Sequence, residues 1–254
     1  MSVHLVYGDV HASVGCDNRR ADYLSKLIWD VKPDVVVNIG DVCDLPSLSS
    51  YDKGKAFFYT RNYKEDIAAH LEFEDRVWGP IKRQKKGMPF RVVLHGNHDF
   101  RIERALQSSP EMSGAISMKD LELERYYDQI VPYDGYGTPG LITIDGIQYG
   151  HYVPAGLTGK ALSSVHQGYQ LIQKRHRSTT VGHSHVFSYE NQSVGKDRAI
   201  HGLSLPCFTE EDFGWAGNIT ELWNRGVCIK REVENGDYDL EYVSLRKMKK
   251  VYGD

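Results

Sequence analysis

Asp34-Val35-Val36-Val37-Asn38-Ile39-Gly40-Asp41-Val42-Cys43-Asp44 is the stretch that decides the fold. Its first half, from Asp34 to Ile39, is a short and nearly unbroken apolar run. That is the pattern of a strand covered on both faces. Its second half turns at glycine and at once presents carboxylates. Open α/β sheets place their sites beyond the carboxyl ends of their strands, so this stretch predicts both a sheet and a site. Reading outward, Val3 to Tyr7 predicts an earlier strand. Asn18 to Val31 predicts a helix, with Leu24, Leu27, Ile28 and Val31 at helical spacing and Pro33 to stop it. Tyr59 to Gln84 reads as one long helix with Ile67, Leu71, Glu74 and Val77 on one stripe. Its basic end (Lys82, Arg83, Lys85, Lys86) is followed by Gly87 and Pro89, and Phe90 to Leu94 is the next strand. Farther on, Leu141 to Tyr149 is a hairpin about Asp145-Gly146, Gly159 to Arg175 a helix and Ser178 to Val181 a strand. Val227 to Leu245 is a hairpin about Asn235-Gly236. The order βαβαβ, then hairpins, predicts a mixed α/β chain with two packed sheets and helices outside. No repeat or low-complexity linker divides it, so one domain over residues 1–254 is expected.

Composition narrows the function classes. Hydrophobic residues make up 41% and charged residues 26%, ordinary for a globular chain and not for a disordered one. Lys plus Arg is 31 and Asp plus Glu is 34, a net charge of −3, which argues against a chain built to coat nucleic acid or an anionic membrane. No apolar run approaches the ~20 residues of a membrane helix, and the opening MSVHLVYGD has no signal-peptide pattern, so a cytoplasmic location is expected. Cys16, Cys43, Cys207 and Cys228 are scattered, and free thiols are expected.

The chemistry lies in five blocks where a predicted strand ends in glycine and a metal-competent residue follows. They are Gly8-Asp9-Val10-His11, Gly40-Asp41-Val42-Cys43-Asp44, Gly96-Asn97-His98-Asp99, Gly150-His151 and Gly182-His183-Ser184-His185. Glycine lets the backbone turn sharply there and lets an ion or a second backbone approach. Asp9 and His11 are two apart, which on an extended segment would put both side chains on one face; His183 and His185 repeat that spacing. Asp9, His11, Asp41, Asn97, His151, His183 and His185 together offer two carboxylates, one amide oxygen and four imidazoles. These are too many donors for one four-coordinate zinc and suit two ions sharing a carboxylate. Mixed nitrogen and oxygen donors without thiolate fit Mn, Fe, Zn, Ni or Co. Two such ions roughly 3.5–4 Å apart would clamp a phosphoryl group.

In this order the five blocks resemble the calcineurin-like metallophosphoesterases. They span Asp9 to His185; the rest of the chain carries no motif. The resemblance implies a four-layer α/β/β/α sandwich, two mixed sheets flanked by helices. It implies that Asp9, His11 and His185 hold one ion, that Asp41 bridges, and that Asn97, His151 and His183 complete the second. Mn²⁺ is the expected metal, with Fe, Zn, Ni, Co and Mg as alternatives. His98 is not a ligand in this pattern. It would lie beside the substrate, stabilise phosphoryl charge and protonate the leaving oxygen. Asp44 would hydrogen-bond His98 and hold it in its proton-donating form. A metal-held hydroxide would attack in line, with no covalent protein intermediate.

The sequence also departs from part of that family. The Ser/Thr protein phosphatases continue their second block Asp-Arg-Gly and open the third Arg-Gly-Asn-His-Glu. Here Asp44-Leu45-Pro46 and His95-Gly96-Asn97-His98-Asp99 stand in those places, so both phosphate-gripping arginines are absent. A dianionic monoester needs more positive charge than a monoanionic diester. The expected substrate is therefore a phosphodiester, in DNA or RNA or in a nucleotide. The pattern is closer to the small bacterial and phage members and the repair-nuclease branch. Arg101 and Arg104 would supply phosphate contacts from the start of a helix, and a partner protein could supply a grip on nucleic acid. Two other classes stand beside this one. One is a phosphomonoesterase acting on a small metabolite or phosphoprotein. The other is a non-catalytic interaction module, against which the intact ligands and the His98–Asp44 pair argue.

Several residues have plainer readings. His166 rivals His151 as a ligand but reads as a packing residue in its helix. Asp99 reads as a helix cap and Cys43 as buried filler. The run from Lys82 to Lys86 and the tail residues Arg246, Lys247, Lys249 and Lys250 read as helix-end charge. Tyr126, Tyr127, Tyr133 and Tyr136 either stack on bases or pack a long loop, and Trp215 either lines the cleft or anchors a loop.

Overall fold

The computed structural model of the chain describes every residue except 84–86, 135–136, 155, 157–158 and 254. In chain order its first half runs β1 (Ser2–Tyr7), α1 (Arg19–Val31), β2 (Val35–Asn38), α2 (Tyr63–Arg83), β3 (Phe90–Leu94), α3 (Arg101–Ser108), α4 (Leu123–Tyr126) and β4 (Gln129–Val131). The second half runs β5 (Leu141–Ile144), β6 (Ile147–Gly150), α5 (Gln167–Arg175), β7 (Thr179–Val181), β8 (Ser188–Gly195), β9 (Arg198–Ser204), β10 (Gly226–Glu234), β11 (Asp237–Ser244) and α6 (Leu245–Tyr252). Short 3₁₀ turns fill several of the connections.

Two mixed sheets form. The first has the order β11-β10-β1-β2-β3-β4, parallel from β1 to β4 and antiparallel at β10 and β11. The second has the order β5-β6-β7-β9-β8. In the register of the first sheet, Val37 of β2 lies between Val6 of β1 and Val92 of β3. Val35 and Val37 point into the core between the sheets, with Ile147, Tyr149 and Leu203 from the far side. Val36 points the other way, into the core beneath α1 and α2 with Leu24, Ile28, Phe73 and Trp78. This period-two division explains why the strand reads as one apolar run. On the outer face of the second sheet, Leu171 of α5 packs with Val153, Leu162 and Val181. The order helices, sheet, sheet, helix is the four-layer sandwich expected from the sequence. No described helix is long and apolar enough to cross a membrane.

The structure differs from the sequence reading in three places. The helix expected over residues 159–175 forms only at Gln167–Arg175. The Ser164 hydroxyl accepts the His166 N–H at 3.1 Å, a local bond that competes with helical pairing, and His166 is exposed rather than packed. The long helix begins at Tyr63, not Tyr59: residues 56–60 make a separate 3₁₀ turn, and Asn62 Oδ1 accepts the Lys64 N–H. Gln84, Lys85 and Lys86 lie outside the described residues. The strands β4, β8 and β9 have no counterpart among the expected elements. β8 is mostly exposed, so it carries no apolar alternation to read. Of the two readings open for the tyrosines, burial supports packing for Tyr126, Tyr127 and Tyr133, and Tyr136 lies outside the described residues.

Candidate metal centre

The loops that follow β1, β2, β3, β6 and β7 meet at one end of the sandwich. The loops after β1 and β2 run side by side: the Asp9 N–H donates to the Gly40 carbonyl, His11 N–H to Asp41 and Ala12 N–H to Val42. Gly40 makes this approach possible. Its φ is +105°, and a Cβ there would stand 2.5 Å from the Gly96 nitrogen. Asp9 and His11 do not share a face through an extended segment, as their spacing suggests. Asp9 has φ +49° and His11 +47°, and Asp41, His183 and His185 are also left-handed at +51°, +71° and +63°. Non-glycine residues rarely adopt this backbone, and it concentrates where function demands a fixed geometry.

The seven candidate ligands are brought together. His11 Nε2 lies 3.1 Å from His185 Nε2 and 3.7 Å from Asp41 Oδ2. His151 Nε2 lies 3.4 Å from Asp41 Oδ2 and 3.0 Å from Asn97 Oδ1. His185 Nε2 lies 3.5 Å from Asp9 Oδ1. Asp9, His11 and His185 form one group with ligand atoms within 4.8 Å of one another, and Asp41, His151 and His183 form another. Asp41 also groups with His11 and His98, so it stands between the two. His166, the rival to His151, is in none of these groups.

The electrostatics suit cations. Burial alone would raise the carboxyl pKa of Asp41, but the charges of His151, His98 and His11 outweigh it and hold the group well below the usual range. Burial acts against a charged His151, yet the Asp41 carboxylate beside it raises that imidazole to about 9. Burial pushes His11 and His183 down to about 4, each with help from a neighbouring imidazole, His98 and His151 respectively. Buried carboxylates and imidazoles facing one another at these distances fit divalent ions, and oxygen with imidazole nitrogen is a donor set for Mn, Fe, Zn, Ni or Co. His185 Nδ1 is buried with no hydrogen-bond partner among the described residues.

Around the ligands, the structure separates roles that the sequence left together. His98 Nδ1 lies 2.8 Å from Asp44 Oδ1, and the same carboxylate oxygen is 3.3 Å from His11 Nδ1. The His98 backbone N–H donates to Asp41 Oδ1 at 2.7 Å. Arg101, the first residue of α3, donates to the Asp44 carbonyl at 2.6 Å and brings Nη2 to 3.3 Å from His98 Nε2. Arg104 lies against the Phe100 ring instead, 5.7 Å from its centroid. Cys43 is buried and points its thiol at the Asp66 carbonyl.

Asp99 is not a helix cap. Its buried carboxylate accepts four backbone N–H groups, from Gly96 at 2.7 Å, Asp41 at 2.9 Å, Val42 at 3.0 Å and Cys43 at 3.3 Å. It clamps the second and third blocks together, a role without local sequence spacing to reveal it. Trp215 lines the centre, with its ring 5.3 Å from His98 and 5.6 Å from His11. Trp223, unremarked in the sequence, packs edge-on against His185 at 4.2 Å.

The model for calcineurin-like phosphoesterases matches residues 4–208 of this chain. The Gene 54 protein of Mycobacterium phage D29 is 26% identical over 180 residues, 66% of this chain and 64% of its own length. The Gene 54 protein of Mycobacterium phage L5 is 26% identical over 191 residues, 70% and 68% of the respective lengths. The chain thus spans about two thirds of the relatives it matches. The crystal structure of TT1561 of Thermus thermophilus aligns over 96% of this chain and 99% of that one, at 11% identity and a TM-score of 0.40, a likeness too weak to bear on the site. Since the matched span takes in every strand-end block that builds the centre, the chain belongs to the calcineurin-like phosphoesterase family, whose members hydrolyse phosphoesters with a dinuclear divalent metal centre.

Proposed function

We propose that the chain is a metal-dependent phosphodiesterase acting on nucleic acid or nucleotides. Asp9, His11 and His185 would hold one ion, Asn97, His151 and His183 the other, and Asp41 would serve both. When bound, such a pair would neutralise phosphoryl charge and make water acidic enough to attack at neutral pH. The chain's own residues do the rest. Asp44 pairs with His98 through Nδ1; Nε2, which accepts from Arg101 Nη2 when unprotonated, would have to take up a proton before delivering it to the leaving oxygen. Arg101 sets a positive charge beside that nitrogen. The observation that carries the diester reading is that, among the described residues, Arg101 is the cation in contact with His98, while Arg104 lies against Phe100. One guanidinium beside the metals matches a single negative charge better than two.

The test compares bis-p-nitrophenyl phosphate with p-nitrophenyl phosphate, with Mn²⁺ and with chelator, in the wild type and His98→Ala. The diester should be preferred, chelator should abolish turnover, and His98→Ala should keep its metal while losing roughly 10²- to 10⁴-fold in rate. A monoester preference would replace this reading with a phosphatase. Absence of turnover on both esters with both ions bound would refute it.

A further inference from the structure

Beside the centre lies a cavity of about 670 Å³ that Asp44, the partner of His98 and His11, helps to line. Phe57, Arg61, Phe213 and Trp215 line it as well. A second cavity of about 330 Å³, bordered by His183, His185 and Trp223, lies against the same indole. Trp215 therefore borders both cavities. The residue is 48% exposed, and Phe213 backs its ring at 5.6 Å and 14°, a parallel stack. A flat, half-exposed, supported indole 5.3 Å from the His98 ring is a surface for the planar arm of an ester whose phosphorus sits at the centre.

The charge around it limits what that ester can be. Among the described residues Lys55 and Arg61 are the cations that line the larger cavity, and both are tied to Asp52, at 2.7 and 2.8 Å. Arg61 also donates to the Pro46 carbonyl. Asp44, Glu65 and Asp66 line the same space. A strand lays successive phosphates along its groove and needs unpaired cations to meet them. Here carboxyl groups outnumber cations, and the cations are already engaged.

We propose that Trp215, backed by Phe213, stacks the base of a mononucleotide-sized phosphodiester, and that the cleft excludes nucleic-acid strands; this narrowing rests on the phosphodiesterase reading. The test is calorimetric binding to the Mn²⁺-loaded full chain of three probes: adenosine 5′-monophosphate, ribose 5-phosphate and phosphorylcholine. Wild type should bind the nucleotide roughly 5- to 100-fold more tightly than the sugar phosphate, the worth of one stacked base. Trp215→Ala should erase that ratio and Trp215→Phe should restore most of it, with metal content and Tm checking that each variant is folded. Equal affinity of wild type for the nucleotide and the sugar phosphate would overturn the stacking surface and leave the phosphodiesterase reading standing. Binding of none of the three would overturn the stacking surface, while the phosphodiesterase reading is decided separately by the bis-p-nitrophenyl phosphate assay. Tighter binding of phosphorylcholine would replace the base with a cationic arm on the aromatic and acidic wall. In turnover, the p-nitrophenyl ester of thymidine 5′-monophosphate should exceed a single-stranded oligonucleotide in kcat/KM by roughly tenfold or more, and the reverse order would overturn the size limit.

Discussion

Glu74 sits on the buried stripe of α2, where the sequence puts a carboxyl group among Ile67, Leu71 and Val77. In the structure it is fully buried. Trp78 Nε1 donates to Oε2 at 3.0 Å, and the Tyr127 hydroxyl lies 2.9 Å from Oε1. That hydroxyl in turn receives Asn38 Nδ2 at 3.0 Å and touches the Tyr7 hydroxyl at 3.1 Å. No cation is in this network, so burial pushes the Glu74 carboxyl from its usual 4.5 up to about 8. The folded chain therefore keeps a proton that the unfolded chain loses above pH 4.5. Stability from this group is complete below 4.5 and declines as pH rises towards 8. At 1.36 kcal/mol per pH unit, flattening near 8, wild type loses about 2 kcal/mol between pH 6 and pH 8 from Glu74 alone. Glu74→Gln copies the protonated form and cannot ionise. The measurement is Tm of both proteins from pH 6 to pH 8 in the same chelator-containing buffer, so that titration in the metal centre is common to both. The advantage of the variant over wild type should grow by about 4–8 °C across that range, given 2–4 °C per kcal/mol for a chain of this size. Parallel Tm profiles would refute the reasoning, because they would mean that Glu74 does not change charge in this window.

Asp99→Ala would strip the acceptor from four buried N–H groups; it should cost on the order of 3 kcal/mol or more and weaken metal binding roughly tenfold to a hundredfold. Metal titration and thermal melts check both, and unchanged metal affinity would deny the clamp its role. Asp41→Asn should weaken both ions together, because the carboxylate faces both ligand groups; elemental analysis showing one site still full would refute the bridge. Lys230 is buried between the sheets, with Nζ on the Thr180 hydroxyl at 2.5 Å and over the rings of Tyr149 and Tyr238. Burial holds its pKa well below the ordinary value, so the unfolded chain binds the extra proton and stability from this group rises with pH. Lys230→Met should therefore stabilise at pH 7 by roughly 1–3 kcal/mol, with the gain fading towards pH 10; a variant less stable at pH 7 would show that the ammonium contacts outweigh its desolvation.

The parts of the molecule legible in the sequence are those with a local signature. β2 and β3 show as apolar runs because both faces are covered, and the two hairpins show through Asp145-Gly146 and Asn235-Gly236. The cluster of candidate ligands is legible because each of its residues lies just after a glycine at which a strand ends. What escapes depends on contacts far apart in the chain. Asp99 is read from its own neighbours as a cap, and only the approach of residues 41–43 gives it four N–H partners. The match to known phosphoesterases ends at residue 208, yet β10 pairs with β1 and completes the first sheet. Trp215 and Trp223 return to the centre from the same C-terminal part. A tryptophan between glycines carries no periodicity that says whether it anchors a loop or faces a cleft.

The left-handed backbone at Asp9, His11, Asp41, His183 and His185 explains why the centre needs so much support. Each such residue costs about 1–3 kcal/mol, and it persists only where the surroundings over-determine it. Those surroundings are hydrogen bonds between loops. Asp9 holds the His183 N–H at 2.9 Å, Asp41 holds the His98 N–H, and Asp99 holds the Asp41 N–H. The two aspartates proposed to hold metal thus use their remaining oxygen valence to fix the loop that carries the next histidine. Geometry at one block is set by a carboxylate from another, so the five blocks behave as one unit. A ligand replacement should then disturb more than its own ion. An intact centre would also reach the ions already shaped, with its reorganisation completed during folding rather than during binding.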